Sequence, residues 1–407
     1  MFICWITVWL LKEGDKLMAR KKQLVLMLLT IGVFGILNTE MGIVGILPSI
    51  ADHFHVSIAK AGLLVSLFAL AVAISGPILP LLFSGFNRKK VLLLVLGVFV
   101  LGNIVSIFAS SFAVLLLARV IPAFLHPVYV SIALTAAAAS VPKEEAPKAI
   151  SIVFMGVTGG MVLGSPISSY IASSASIEMA MLYFTIVNVI AFIAILFVPS
   201  MPVEEKLSYG SQLNALKRSF TWLSIAAVIF INAAMYGVSS YLAVYLAAIT
   251  HIPGKTISFM LFVFGGASIM GNILAGRLLT KSTAKSVVSF PFVLAAVYLL
   301  FIMMGRLAVP MALIMFVFGI AVAVGNNISQ YCIASAAPEA PEFSNGLFLA
   351  SGNIGVTIGT TAGGWLITGM GTPYVIAGGF LFLSLSLIFI LLRNRIGQPA
   401  GFQSDRL

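Results

Sequence analysis

The sequence predicts an all-α membrane protein: twelve transmembrane helices in two pseudo-symmetric bundles of six, with both termini on the cytoplasmic side. Three observations predict it. The 407-residue chain is 60% hydrophobic and 9% charged, with a mean hydropathy of +1.13. Soluble domains carry about 25% charged residues, so the apolar surface here calls for a bilayer rather than a globular core. Apolar stretches of about 20 residues or more, each enough to cross about 30 Å of hydrocarbon, recur along nearly the whole chain. The basic residues cluster in alternate connections between those stretches. The short alternating strands of a β-barrel are absent.

The spans are read at 24–48, 59–83, 90–109, 112–139, 147–172, 178–199, 220–249, 256–279, 287–305, 309–335, 344–369 and 373–393. Basic residues mark every second boundary. Arg20, Lys21 and Lys22 precede span one, and Arg88, Lys89 and Lys90 separate spans two and three. Lys143 and Lys148 separate four and five; Lys206, Lys217 and Arg218 separate six and seven; Arg277, Lys281 and Lys285 separate eight and nine. Arg393 and Arg395 follow span twelve. Of the 23 Lys and Arg, 19 fall on this side, Lys60, Lys255 and Arg306 fall on the other, and Arg119 lies within span four. Lys and Arg collect on the cytoplasmic side, so the asymmetry places both termini there. The net charge of +11 is accordingly read as topology and not as affinity for nucleic acid.

The longest polar stretch, 200–219, divides the chain into bundles at 18–199 and 220–395, with a tail at 396–407. An internal repeat supports the division. A shift of 195 residues (355 less 160) places Gly160 on Gly355, Gly164 on Gly359, Gly76 on Gly271 and Glu144 on Glu339. Two parallel halves of six spans are a standard transporter design. Residues 1–17 are apolar at their start but too short to span. Met18 opens the more natural beginning, MARKKQLVLMLL, so 1–17 read as a start-site extension.

Span five carries Gly156, Gly160 and Gly164 at four-residue intervals, followed by Pro166. Such spacing puts glycines on one face, where another backbone approaches closely, and proline favours a bend. Span eleven repeats the pattern with Gly352, Gly355, Gly359, Gly363 and Gly364. Smooth faces in matching helices suit halves that rock against each other.

On these residues the chain resembles the major facilitator superfamily, in its twelve-span drug:proton antiporter branch. Span five is similar to that branch's antiporter motif, and Arg119 in LLLARVIPAFLHPVYVSIA to its arginine-bearing fourth helix. Asn38-Thr39-Glu40 and Arg119…His126 look most like bacterial sugar-efflux and arabinose-efflux permeases. The loop between spans two and three keeps its basic cluster, with Arg88 and Lys89, but Ser84 stands where the family has an acid and Asn87 where it has a glycine. Ser168 replaces a late glycine of span five. The resemblance implies alternating access in a bacterial cytoplasmic membrane by a protein that is usually monomeric.

Three ionisable residues lie inside spans, where charge is costly and rarely kept without use. From a helix rise of 1.5 Å per residue, Glu40 lies about 15 Å below the outer surface, Arg119 about 10 Å and His126 about 21 Å. Seven residues apart, Arg119 and His126 would share a helix face, and Glu40 would reach one of them. A carboxylate in a dry cavity holds its proton more tightly, and a nearby guanidinium loosens it; histidine titrates near physiological pH by itself. Glu40, Arg119 and His126 are therefore the expected proton-coupling residues. Asn38, Tyr129, Asn232, Tyr236, Asn327 and Asn353 supply directional hydrogen bonds suited to a small polar substrate.

There is no Walker-type phosphate loop, so ATP is not the expected energy source. Hydrolase and metal constellations are absent, and neither cofactor, metal nor enzymatic activity is expected. The two cysteines, Cys4 and Cys332, build no disulfide framework. The sequence reads as a proton-coupled exporter of a sugar, nucleoside, purine or drug, with a proton-coupled importer on the same fold as the alternative. A membrane sensor would need a signalling domain, for which the short tail leaves no room.

Overall fold

The computed structural model describes residues 18–142, 145–200, 216–337 and 341–396. The start-site extension, most of the 200–219 linker, the tail, Glu144 and Glu339 lie outside the described residues. Within them every regular element is helical: α1 (Met18–Gly45), α2 (Leu47–His53), α3 (Ile58–Ser75), α4 (Leu79–Phe83), α5 (Arg88–Ile107), α6 (Phe112–Ala123), α7 (His126–Ala139), α8 (Ala146–Ser174), α9 (Ile177–Leu196), α10 (Ser219–Ser239), α11 (Leu242–Ala248), α12 (Gly254–Lys281), α13 (Thr283–Met304), α14 (Ala308–Ala334), α15 (Pro341–Met370) and α16 (Tyr374–Ile396).

Caps set several helix starts. Ser57, Asn87, Ser111 and Ser176 accept from the backbone N–H three residues on, beginning α3, α5, α6 and α9. Lys89 Nζ donates to Leu196 O at 2.8 Å and Asn87 Nδ2 to Ser200 Oγ at 2.8 Å, so the basic loop ties α5 to the end of α9. Arg88 is half-exposed at the start of α5.

Among the described residues eleven segments are long and apolar enough to cross a membrane, against the twelve expected. The difference is α15, which has the length but is filled with Gly, Ser, Thr and Asn. Four of the expected spans are also interrupted: the first near its end at Ile46, the second at 76–78, and two nearer their middles. The fourth breaks at Phe124–Leu125 into α6 and α7, where Pro122 and Pro127 each remove a backbone donor. The seventh breaks at Ser240–Tyr241 into α10 and α11. By contrast α8 runs as one helix through Pro166.

Packing falls into two groups. α1 lies along α8, α9 against α5 and α1, and α5 against α6; in the second half α10 lies along α15 and α16, and α12 along α14. The halves meet where α3 packs on α15 and α8 on α12. That contact is one-sided. At mid-height Thr357 Oγ1 donates to Ser66 O at 3.1 Å, and at the end away from residues 18 and 396 Ser258 Oγ and Ser169 Oγ are 3.0 Å apart. One apolar cluster there runs through both halves, joining Ile46, Leu47 and Ile50 to Tyr241 and Leu242. Nearer mid-height the contact continues, where a methyl at Gly265 on α12 would stand 2.7 Å from Val162 O on α8. The contacts named between the halves thus lie at the distal end and at mid-height.

The glycine faces do not separate the halves. A methyl at Gly156 would overlap Thr30 O, one at Gly160 would stand 2.7 Å from Leu37 Cβ, and one at Gly164 2.8 Å from Asn38 O. All three contacts are with α1, in the same half, and Gly355 and Gly359 press on α10 in the same way. The expectation of a rocking surface is corrected to two tight seams, one inside each half.

Candidate functional site

Three consecutive residues of α1 each take a different partner. Asn38 Oδ1 accepts from Tyr183 Oη at 2.8 Å. Thr39 is held twice: its hydroxyl oxygen accepts from Asn188 Nδ2 at 2.6 Å, and its carbonyl accepts from Arg119 Nη2. Glu40 Oε2 lies 3.6 Å from His126 Nε2, with the two side chains 13% and 8% exposed. At that separation the two groups are in contact, as an ion pair only when His126 is protonated, and are not hydrogen-bonded.

Glu40 therefore meets His126 and not Arg119. The guanidinium is within electrostatic range of the acid, but its hydrogen bonds go to Thr39 O and, at 3.3 Å, to Asn103 Oδ1. Its face lies 5.5 Å above the Phe184 ring. A buried guanidinium needs several such partners to offset desolvation. The interruption of the fourth span also overturns the shared face expected of Arg119 and His126, which belong to different helices. Arg119 on α6 turns to α1, α5 and α9; His126 opens α7 beside Glu40 and the Phe68 ring, 6.2 Å from it.

The uncharged candidates divide. Tyr129 is fully buried, with its hydroxyl against Gly32, so it is a core residue of the first half and not a cavity wall. Asn232 is likewise buried, donating to Val228 O and Ser329 Oγ at 2.9 and 3.2 Å. Asn38 is also fully buried, on α1 of the first half, whereas Tyr236, Asn327 and Asn353 stand half-exposed on the second half. Tyr236, within electrostatic range of Glu40, accepts from Asn326 Nδ2 at 3.3 Å. Asn327 Nδ2 donates to Asn272 Oδ1 at 2.7 Å, and Asn353 Nδ2 to Leu349 O at 2.9 Å.

Asn103, Asn188, Tyr183 and Asn326 escaped the sequence reading. Asn103 and Asn188 had a signal: each is a single amide in an otherwise apolar stretch, GVFVLGNIVSI and FTIVNVIAF. Among the described residues no group of His, Cys, Asp and Glu could hold a metal ion, and Cys332 is a buried free thiol.

The inner membrane transport protein YdhP of Escherichia coli K12 is 28% identical over 372 residues, covering 91% of this chain and 96% of its own length. The MFS-type transporter YtbD of Bacillus subtilis is 31% identical over 357 residues, 85% of this chain and 89% of its own. A probable sugar efflux transporter of Helicobacter pylori is 27% identical over 354 residues, 86% and 89% of the two lengths. Among solved structures, a bacterial homolog of the human lysosomal transporter Spinster shares the fold with a TM-score of 0.73 at 17% identity, covering 94% of this chain and 98% of that one. The Major Facilitator Superfamily model matches residues 29–341 and 224–405. This multi-pass membrane protein, a transporter among transporters, belongs to the Major Facilitator Superfamily.

Proposed function

We propose that the protein is a proton-coupled exporter of a small polar or drug-like molecule, such as a sugar, nucleoside, purine or drug. Glu40 carries the proton, His126 receives or shares it, and Arg119 fixes the backbone on which Glu40 stands. One observation carries the reading: an acid and a histidine buried together mid-span, 3.6 Å apart, on two helices of the half that opposes Tyr236 and Asn326. Titratable groups kept at such depth are expensive unless used.

With the termini cytoplasmic, as the basic residues favour, the end at which the halves are joined faces outward, and the conformation is the one that loads substrate for export. α15 is then the twelfth span, and residues 18–199 and 220–395 are the two bundles, acting as a monomer in the bacterial cytoplasmic membrane. Asn38, Tyr236, Asn327 and Asn353, joined by Asn326, bind substrate; Gly156, Gly160, Gly164 and Pro166 hold the α1–α8 seam. The relative named as a sugar efflux transporter supports export of a polar solute. A proton crossing 100 mV supplies about 2.3 kcal/mol, which sustains about a 50-fold gradient at one-to-one exchange.

The test is a proteoliposome assay with radiolabelled pentoses, hexoses and nucleosides and the dye ethidium, under a pH gradient imposed in each direction. Export coupling requires that proton entry drive solute out. Glu40→Gln should abolish the gradient-driven component while the protein stays folded; full activity in that variant removes Glu40 from the mechanism. Accumulation driven along with the proton would make the protein an importer.

A further inference from the structure

The internal repeat extends to single contacts. A shift of 195 residues (359 less 164) carries Gly164 onto Gly359, Asn38 onto Ala233, Ser168 onto Gly363 and Gly42 onto Gly237. Gly164 presses on Asn38 O, and Gly359 on Ala233 O. Ser168 Oγ donates to Gly42 O at 2.7 Å, and a methyl at Gly363 would stand 2.9 Å from Gly237 O. The pairs α1–α8 and α10–α15 therefore match residue for residue.

One position further, the halves diverge. The same shift carries Thr39 onto Ala234, Asn103 onto Tyr298, Phe184 onto Gly379 and Arg119 onto Ile314. In the second half Tyr298 Oη donates to Ala234 O at 2.7 Å, and its ring fills the space over Gly379, where a methyl would stand 2.5 Å from Cε2. In the first half the ring belongs to Phe184, residue 103 is short, and the donor to Thr39 O is Arg119, steadied by Asn103 Oδ1. Both halves need the same two things here, an aromatic ring and a donor to one carbonyl. An uncharged tyrosine supplies both in one half; three residues and a positive charge supply them in the other. Packing is satisfied without charge, so packing does not account for the guanidinium or for the amide that holds it.

We propose that Asn103 is a positioning residue for Glu40: it holds the Arg119 guanidinium on the Thr39 carbonyl, one residue before the acid, and so fixes where the carboxylate meets His126. The proposal rests on the reading of Glu40 as proton carrier. The titratable groups around Glu40 are Arg119 from α6, His126 from α7, Tyr236 from α10 and, through Asn38, Tyr183 from α9. The other helices on α1, among them α3, α5 and α8, bring no ionisable side chain into ion-pair contact with it. Without the Asn103 amide the guanidinium is free to leave Thr39 O, and both the charge and the backbone next to Glu40 move.

The experiment removes the matching interaction in each half of the full-length, reconstituted protein. The Glu40 carboxyl stretch is followed by pH-dependent infrared difference spectroscopy and assigned by its loss in Glu40→Gln. Asn103→Ala should move the midpoint of that band by about one pH unit or more, a tenfold change in proton affinity. Asn103→Gln, which keeps the amide, should recover most of the shift. Tyr298→Phe should leave the midpoint in place and lower the unfolding temperature. An unmoved midpoint in Asn103→Ala, or an equal shift in Tyr298→Phe, overturns the proposal. If Asn103→Ala does not fold, Asn103→Ser is read by the same criteria. A Glu40 band that never titrates is a separate result: it refutes the proton-carrier reading and the positioning role with it.

Discussion

Gly62 on α3 is the most direct handle on the balance between the two orientations of the transporter. A methyl there would overlap Tyr241 Oη and stand 3.0 Å from its Cζ. Tyr241 belongs to the other half, where it is fully buried and donates to Thr360 O at 2.8 Å. Its hydroxyl cannot simply retreat, because Gly364 is also packed against it. Gly62→Ala therefore breaks the Thr360 bond or forces the halves apart. Leaving a buried polar pair unsatisfied costs about 1–3 kcal/mol, and the overpacking adds about 1–3 kcal/mol. The better helix propensity of alanine, about 1 kcal/mol, acts on both orientations and cancels. A net penalty of about 2–6 kcal/mol on the distally closed state changes the ratio of states by about 30-fold to about ten-thousandfold. The assay is spin-label distance measurement between Lys60→Cys and Met370→Cys, with Cys4 and Cys332 replaced by Ala. The variant should show a new, longer population, and adding Tyr241→Phe should reduce it. A distance distribution identical to that of Gly62 would refute the reasoning, because the clash would then have been absorbed within one half.

Three further outcomes are expected. Gly164→Ala, which drives a methyl against Asn38 O at 2.8 Å, should lower the detergent unfolding temperature by the equivalent of about 1–3 kcal/mol, whereas Gly266→Ala, with nothing within 4 Å, should be neutral. Ser168→Ala, which loses the 2.7 Å bond to Gly42 O, should cost about 1 kcal/mol in the same melt. Arg393, 2% exposed, donates to Ser224 Oγ at 2.9 Å and to Ser335 Oγ, over the Phe220 ring. Arg393→Ala should therefore destabilise the second half by about 2–4 kcal/mol, seen as the earlier of two unfolding steps.

Much of the site could be read in the chain because the bilayer makes every intramembrane polar residue conspicuous. Glu40, Arg119 and His126 do lie together, and the same test applied to Asn103 and Asn188 would have found two more members. Which of them touch could not be read. The estimate for Arg119 and His126 assumed one continuous helix at 3.6 residues per turn, and two prolines interrupt it, sending the two side chains to different neighbours. Tyr129 and Asn232 have the same composition signal as Tyr236 and Asn326; Asn232 and Tyr236 even share a face of α10, and only the neighbours that each meets bury the first pair and leave the second half-exposed.

By itself the sequence determined the solvent, the order of the spans and the two-fold repeat, because hydropathy and glycine spacing act segment by segment and need no partner to be meaningful. Only the tertiary structure decided that the glycine ladders seal α1 to α8 and α10 to α15 within each half, that Glu40 faces His126, and that the distal end is shut. Those choices depend on how helices are rotated and where they break, and such geometry arises from packing between segments far apart in the chain.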